Sequence, residues 1–290
     1  MRLGVNTWVW VSPLTDADLK ALVPQVKAMG FDWIETPIEG LNDFNYADAA
    51  RLIREHGLGV SVVAAMGPDR DLIHPEAALR ENGATYLRHC IDAAQTLGSS
   101  TVAGPLYSSV GRTWQQTPQE READLVTLVG QLRALAGYAR QRGVTLCVEP
   151  LNRFETSFIN LAAQAVEVID RVNHPACQMM LDTFHMNIEE RSLGDAIRAA
   201  GKRLRHVHAC ENDRGAPGAG HVPWAEVAQA LKDIGYDGPV VIESFTSKVK
   251  SIARAAAIWR PFAASQDALA REGGKFLKEL LTHKSVNRDQ

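Results

Sequence analysis

A carboxylate and an imidazole that can both bind a metal ion follow a predicted strand in the second half of the chain. In QMMLDTFHMNIEE, residues 178–190, Asp182 and His185 are three residues apart and come directly after an apolar run. Apolar runs of this length usually end in turn residues, so titratable groups here raise the question of a functional site. A single acid at a strand end is more often a helix cap or an ion-pair partner. The interpretation therefore depends on whether other strands end in the same way.

Four consecutive predicted strands place a metal-binding type of side chain at or near their C-terminal ends. In chain order these residues are Glu149, Asp182, His208 and Glu243. Three carboxylates and one imidazole, without a thiolate, form a hard to borderline ligand set that suits Mn²⁺, Mg²⁺ or Co²⁺ better than structural zinc. Without a cation, three clustered carboxylates would repel one another in a low-dielectric pocket. The sequence therefore predicts one divalent-cation site shared by four strands.

Further polar residues follow these predicted ligands in the sequence. Glu155 lies six residues after Glu149, and Arg214 lies six residues after His208. A glutamate or arginine in a loop is solvated in most proteins, so position alone assigns neither of them a function. His185 lies in a tight and otherwise apolar segment, and we predict that it contacts the substrate.

Eight short apolar runs alternate with longer stretches of helical periodicity along almost the whole chain. The predicted strands are 3–10, 32–39, 59–66, 100–107, 145–151, 177–184, 204–211 and 239–245. Several helical segments stop at a glycine that can cap a helix, namely Gly30, Gly57, Gly98, Gly143 and Gly235. Eight such units predict an α/β fold, a (β/α)8 TIM barrel, whose active site forms at the C-terminal ends of the strands. An open doubly wound sheet is the alternative, but no G-x-G-x-x-G follows the first strand.

The composition bounds the domain count and the classes of partner. The chain has 290 residues, of which 46% are hydrophobic and 22% charged, and it contains no long Pro/Gly/Ser linker. We therefore expect a single barrel domain over residues 1–290, with an extra C-terminal helix from Gln266 onward and a frayed end. A net charge of −3 gives no basic field for nucleic acid or anionic lipid. No apolar stretch approaches the roughly 18 residues of a membrane span, and MRLGVNTWVW resembles a strand more than a signal peptide.

The cysteines indicate a reducing compartment. The four residues, Cys90, Cys147, Cys177 and Cys210, are scattered and form no C-x-x-C pair. We interpret them as reduced thiols of a cytoplasmic protein.

Four segments carry a resemblance to a known enzyme family. EPLNRFET, LDTFHMNIEE, HACENDRGAPGAGHVPW and DIGYDGPVVIE resemble the D-tagatose 3-epimerase / D-allulose (psicose) 3-epimerase family of ketose epimerases, which are xylose-isomerase-like barrels. The similarity covers most of the chain and is dense from Glu149 to Trp259. The segments AAMGPDRDL and GPLYSSVGRTW in the first half depart from the best-known members. In this family such loops shape the pocket at the far end of the sugar, so the preferred ketose stays open.

The resemblance implies a cofactor, a set of substrate contacts and an assembly. It implies that Glu149, Asp182, His208 and Glu243 hold one divalent cation per subunit, with Mn²⁺ favoured and Co²⁺ or Mg²⁺ as alternatives. Glu155, His185 and Arg214 match family positions that hold the C1–C3 oxygens of a ketose. It also implies a homodimer or a homotetramer. A phosphorylated sugar is disfavoured because the sequence contains no glycine-rich phosphate cradle.

The implied chemistry is inversion at C3 of a free ketose. The C2 carbonyl acidifies the C3 hydrogen, and a cation acting as a Lewis acid stabilises the enediolate. Inversion removes the proton from one face and replaces it on the other, so two bases are needed, and Glu149 and Glu243 are the candidates. The tryptophans Trp8, Trp114 and Trp259 are candidates for lining the sugar pocket, although large aromatic residues belong more often to the core.

Three rival functions remain open. An aldose–ketose isomerase of the hydroxypyruvate-isomerase-like type uses the same fold and a similar glutamate pair but moves a proton between C1 and C2. An endonuclease-IV-like phosphodiesterase needs additional histidines and a basic groove, but the third and fourth predicted strands end without a histidine and the net charge is negative. A barrel that binds sugar without turning it over would have no need for both glutamates.

Overall fold

Eight parallel strands close into a barrel, with helices between them. A computed structural model of the chain describes residues 1–282, and the predicted frayed end lies outside these residues. The strands are β1 Arg2–Asn6, β2 Trp33–Pro37, β3 Gly59–Val63, β4 Thr101–Gly104, β5 Thr145–Val148, β6 Cys177–Asp182, β7 Leu204–Ala209 and β8 Pro239–Ile242. Each strand pairs in parallel with the next in chain order, and β8 pairs with β1. The predicted TIM barrel is confirmed, and the open sheet is excluded.

Helices connect the strands and cover the outside of the barrel. They are α1 Asp16–Ala28, α2 Tyr46–Glu55, α3 Ala77–Leu97, α4 Pro118–Gln141, α5 Ala162–Val172, α6 Thr183–Glu189, α7 Leu193–Ala200, α8 Trp224–Asp233, α9 Lys250–Ala255 and α10 Gln266–Thr282. The predicted C-terminal helix is α10, which packs against β1, β8 and α8. Within residues 1–282 no helix combines the length and the apolar character needed to cross a membrane. A single barrel domain over residues 1–290 stays a prediction.

The local sequence explains where the elements stop. All five glycines predicted to end helices have a positive φ, and Gly98, the C-cap of α3, has a φ of 80°. The left-handed region costs glycine little, because glycine has no Cβ. The strands, in contrast, end earlier than predicted, and Glu149 and Glu243 lie one residue beyond β5 and β8.

The two glutamates nevertheless keep the register of the sheet. The backbone N–H of Glu149 donates to the Gly104 carbonyl at 3.0 Å, and that of Glu243 donates to the Ala209 carbonyl at 3.4 Å. A fixed backbone at these positions holds both side chains at the C-terminal mouth of the barrel, where the βα loops meet.

Candidate active site

The four predicted metal ligands meet at the C-terminal mouth of the barrel. Ligand atoms of Asp182, His208 and Glu243 lie within 4.8 Å of one another, and those of Glu149, Asp182 and His185 form a second group of the same size. Asp182 belongs to both groups. It ends β6 and also caps α6, because its Oδ1 accepts a hydrogen bond from the Phe184 N–H at 2.9 Å. This bond fixes the carboxylate so that Oδ2 faces the other groups of the site.

The orientation of His208 fits a metal ligand. Its Nε2 lies 2.6 Å from Glu35 Oε1, on the side away from the other predicted ligands. Its Nδ1 lies 3.2 Å from Glu243 Oε1 but makes no hydrogen bond within the described residues. A buried imidazole nitrogen without a hydrogen-bond partner, facing clustered carboxylates, is the donor arrangement that a divalent cation requires. The residues present therefore fit one cation.

Arg214 neutralises part of the carboxylate cluster. Its Nη1 donates to Asp182 Oδ2 and to Glu243 Oε2, each at 2.6 Å, and its Nη2 lies 3.1 Å from His185 Nε2. The guanidinium is 3.9 Å from the ring centroid of Phe184, which supports it from one face. Arg214 thus connects three of the predicted site residues in a buried environment.

The loop that carries Arg214 is held by a second buried carboxylate. Glu211 accepts hydrogen bonds from the backbone N–H of Gly218 at 2.8 Å and from the indole N–H of Trp224 at 2.6 Å. Its other oxygen accepts from the N–H of Val222 at 3.2 Å. Arg214 itself has a φ of 69°, a conformation that a non-glycine residue adopts only when its surroundings impose it. The network around Glu211 provides those surroundings.

Asn152 connects two of the predicted substrate contacts. Its backbone N–H donates to His185 Nδ1 at 3.0 Å, and its side-chain Nδ2 donates to Glu155 Oε1 at 2.8 Å. Nε2 of the same ring lies 3.1 Å from Arg214 Nη2, which can only donate, so donors approach both nitrogens of His185 and do not select one tautomer. Burial lowers the pKa of His185 well below its usual value, and the charge of Arg214 acts in the same direction. His185 is therefore neutral.

The two candidate bases have pKa values shifted in opposite directions. Burial raises the pKa of Glu149 well above its usual value, against the charge of His208. Burial also acts to raise the pKa of Glu243, but the charges of His208 and Arg214 outweigh it, so this pKa is lowered. Burial raises the pKa of Asp182 to about 6. The two carboxyl groups therefore lie in different environments, because burial dominates at Glu149 and cationic neighbours dominate at Glu243.

A cavity opens beside these groups and has two chemically different walls. Its polar wall consists of Glu149, Glu155, His185, Arg214 and Glu243. The rest of its lining, the apolar wall, includes Trp8, Val63, Ala65, Val110, Phe245 and Ile252. The structure thus brings all three predicted substrate contacts to one cavity with both candidate bases.

Of the three tryptophans proposed for the pocket, Trp8 lines this cavity. Its indole N–H donates to Glu39 at 2.9 Å, so its face and not its donor is presented to the cavity. The other two expectations are wrong. Trp114 stacks on Phe158 with ring centroids 6.0 Å apart, and Trp259 is 74% exposed on the surface.

Sequence reasoning missed two residues that support the site. Asn152 follows Glu149 in EPLN, and Glu35 lies inside β2. Glu35 is fully buried, and its carboxylate lies 2.6 Å from the ring of His208 and 2.7 Å from that of His206. Burial acts to raise the pKa of Glu35, but these two histidines outweigh it and hold the pKa well below its usual value. The signal for Glu35 in the sequence was an acidic residue within an otherwise largely apolar strand.

Comparison with known proteins agrees with the resemblance seen in the sequence. The model of the xylose isomerase-like TIM barrel family matches residues 23–280. The chain is 35% identical to a D-psicose 3-epimerase of Agrobacterium fabrum over 92% of this chain and 93% of the relative. It is 31% identical to a ketose 3-epimerase of Arthrobacter globiformis over 97% of both chains. A solved structure of an L-ribulose 3-epimerase superimposes with a TM-score of 0.91 at 31% identity, covering 97% of this chain and 94% of that one. The chain therefore belongs to the ketose 3-epimerases of the xylose isomerase-like barrel family, which are isomerases acting on carbohydrates.

Proposed function

We propose that the enzyme inverts C3 of a free ketose with the help of one divalent cation and two glutamates. The observation that carries this proposal is that Glu149 and Glu243, from β5 and β8, line one cavity. They are connected through His185, 3.9 Å from Glu149, and through Arg214, 2.6 Å from Glu243. A ketose in this cavity would lie beside two carboxyl groups from different strand ends, which supports proton transfer on both faces of C3.

The cation would be held by Glu149, Asp182, His208 and Glu243, with Mn²⁺ favoured over Co²⁺ and Mg²⁺. When bound, it would supply Lewis acidity that stabilises negative charge on the substrate oxygens. Two observations support this assignment. The donors are carboxylate oxygens and an imidazole, and Nδ1 of His208 has no hydrogen-bond partner among the described residues.

The protein groups would divide the proton transfer between two faces. One glutamate removes the C3 proton, and the other returns a proton to the opposite face. The neutral ring of His185 and the guanidinium of Arg214 would bind the oxygens at C1–C3, and Glu155 would accept a hydrogen bond from a substrate hydroxyl. Together they would hold C3, and not C1, between the two carboxyl groups.

The names of the relatives indicate the substrate class. Relatives at 30–35% identity are named D-psicose, L-ribulose and ketose 3-epimerases, so we propose free ketohexoses and ketopentoses as substrates. The cavity wall supports the absence of a phosphate. Its one guanidinium is already paired with Asp182 and Glu243, and two further glutamates face the same space. A phosphorylated sugar would bring more negative charge to carboxylates without a free cationic partner.

Isotope exchange tests the reaction and separates it from its rival. Chelator-stripped enzyme is incubated with D-fructose, D-tagatose or L-ribulose in D₂O, with and without Mn²⁺, and the products are resolved by chromatography and NMR. We expect C3 epimers that carry deuterium at C3 and form only with the cation. Deuterium at C1 or C2 together with an aldose product would instead establish the hydroxypyruvate-isomerase-like alternative.

Substitution of a candidate base tests the mechanism. We expect Glu149→Gln to lower epimerisation on the order of 10²- to 10⁴-fold, because an amide cannot exchange a proton with C3. Glu122→Gln, which changes an exposed glutamate on α4, serves as the matched control and should leave the rate unchanged. A Glu149→Gln enzyme that retains more than a tenth of the rate would contradict the two-base mechanism.

The predicted assembly and compartment are proposals as well. The exposed Phe154 and Trp259, 75% and 74% accessible, are the large aromatic surfaces that a second copy of the chain would cover in a homodimer or homotetramer. The four cysteines are buried and unpaired, which supports a reducing cytoplasm. Light scattering of the wild type and of Trp259→Ser would test the assembly, and a wild-type monomer would contradict it.

A further inference from the structure

We infer that Glu35 is a positioning residue that fixes the ring of His208 so that Nδ1, and not Nε2, is offered to the cation. The inference rests on the cation site of the proposed function. It concerns a residue of β2, on the far side of the barrel interior from β5 and β6, which nothing in the sequence analysis had connected with the site.

The contacts of Glu35 show an acceptor held in one orientation. Oε1 accepts from the Asn6 side-chain N–H at 2.9 Å and lies 2.6 Å from His208 Nε2. Oε2 accepts from the Ser61 hydroxyl at 2.8 Å and lies 2.7 Å from His206 Nε2. Glu35 and both histidines are fully buried. Each oxygen therefore has a neutral donor that anchors it and one imidazole beside it.

The barrel register produces this arrangement. Asn6 on β1 and Ser61 on β3 are the direct pairing partners of Glu35 on β2, so the three side chains share one layer of the interior. His206 and His208 are two residues apart on β7, so both side chains point inward on the same face. Hydrogen bonds from both neighbouring strands thus fix the orientation of the Glu35 carboxylate beside His208.

A fixed acceptor on one ring nitrogen determines the state of the other. A ring nitrogen that binds a cation carries no proton, so cation-bound His208 has a single N–H, and the Glu35 oxygen that already accepts from Asn6 accepts it from His208 Nε2. The lone pair of His208 is then on Nδ1, which lies 3.2 Å from Glu243 Oε1 without a hydrogen bond of its own. This is the carboxylate–histidine–metal relationship that orients ligands in metal sites.

The cluster of Glu35, His206 and His208 is close enough to suggest a second cation site. Their ligand atoms lie within 4.8 Å of one another. The donors of Asn6 and Ser61 already occupy both carboxylate oxygens, however, and a cation here would have to displace them. We therefore assign the cluster to support of the one cation, and the stoichiometry of binding tests this choice.

The first experiment measures metal affinity and not turnover. Metal-free wild type, Glu35→Gln and Ser61→Ala are titrated with Mn²⁺ while electron paramagnetic resonance follows the free ion. Glutamine keeps the shape of Glu35 but removes its charge, and we expect binding weaker by on the order of 10- to 100-fold. Ser61→Ala removes a hydrogen bond from the oxygen that faces away from His208 and should bind like the wild type. Unchanged affinity in Glu35→Gln, equal losses in both variants, or two ions per wild-type chain would overturn the inference.

A second measurement keeps the inference falsifiable if Glu35→Gln does not fold. NMR of wild-type protein with ¹⁵N-labelled histidine, titrated with diamagnetic Mg²⁺, reports each ring nitrogen of His208 separately. We expect Nε2 to stay protonated throughout and the Nδ1 resonance to shift on binding. A shift at Nε2 would show that the ring is reversed and that Glu35 does not position it. Neither measurement requires a sugar, so an enzyme inactive on every ketose would refute the proposed function and leave this inference standing.

Discussion

Arg214 is the residue on which the balance of charge in the site depends. Three carboxyl groups and two histidines meet in a buried space, and Arg214 is the guanidinium that pairs with Asp182 and Glu243 at the same time. Its second nitrogen reaches His185 at 3.1 Å. A planar fork with several donors makes these contacts together, whereas an ammonium group is a point charge on a flexible stem. Shape and charge both contribute at this position.

We therefore expect Arg214→Lys to retain the fold but to lower kcat/KM for a ketose on the order of 100-fold. The lysine restores the positive charge but cannot contact Asp182, Glu243 and His185 simultaneously. Steady-state kinetics with saturating Mn²⁺ would measure the loss, and circular dichroism would verify the fold. Activity within threefold of the wild type would show that the charge alone is sufficient.

Site residues at strand ends could be predicted from the sequence. A supporting residue within a strand could not. Glu149, Asp182, His208 and Glu243 stand out because each follows or ends an apolar run, and the structure brings them to one mouth. Glu35 lies within its strand, and nothing in DWIETPIE shows that Asn6 and Ser61 are its pairing partners or that β7 faces it across the barrel. Contacts between distant strands follow from closure of the barrel, which local periodicity does not contain.

At the scale of elements, a partly buried ion pair joins the loop between β3 and α3 to the loop between β4 and α4. Asp71, in the loop between β3 and α3, is 1% exposed and pairs with Arg112, in the loop between β4 and α4, at 2.7 Å. Asp71 also accepts backbone hydrogen bonds from Ile73 at 2.9 Å and from Ser109 at 3.3 Å. Val110, next to Ser109, lines the apolar wall of the cavity. One carboxylate therefore sets the shape of that wall.

Asp71→Ala should consequently destabilise the protein by roughly 2–3 kcal/mol, because it leaves Arg112 and two backbone donors without their acceptor. For a chain of this size we expect the thermal midpoint to fall by about 5–10 °C. Arg51→Ala provides the comparison, since it removes an exposed pair with Asp48 worth under about 1 kcal/mol. Thermal melts of the three proteins measure both effects, and equal midpoints for the two variants would refute the role of Asp71.

The elements themselves were predictable in number and order but not in length. All eight strands and the helix at Gln266 occur where periodicity placed them, yet β5 ends at Val148 and not at residue 151. Periodicity reports which side chains are apolar, and it does not report where the ladder of backbone hydrogen bonds stops. Leu151 illustrates the difference, because it is 3% exposed and lines the cavity from the loop after the strand.

At the scale of the whole molecule, the proposed cation would connect a continuous half of the barrel. Its four ligands come from, or directly follow, β5, β6, β7 and β8, which are neighbours in the closed sheet. Glu35 adds β2 through His208. A cation bound to the folded chain and not to the unfolded one stabilises the fold by mass action, and its absence leaves the carboxylates of these strands to repel one another. Binding and global stability are therefore linked.

This linkage gives a prediction that does not depend on turnover. At a Mn²⁺ concentration 100 times the dissociation constant, the gain in the free energy of unfolding is about 2.7 kcal/mol, which corresponds to a rise of roughly 5–10 °C in the thermal midpoint. Excess chelator should reverse the rise. Asp182→Asn keeps the cap on α6 within reach of an amide oxygen but removes a charged ligand, so its midpoint should respond little to Mn²⁺. If Asp182→Asn and the wild type rise equally, the ion binds elsewhere, and the assignment of the four strands to one cation is wrong.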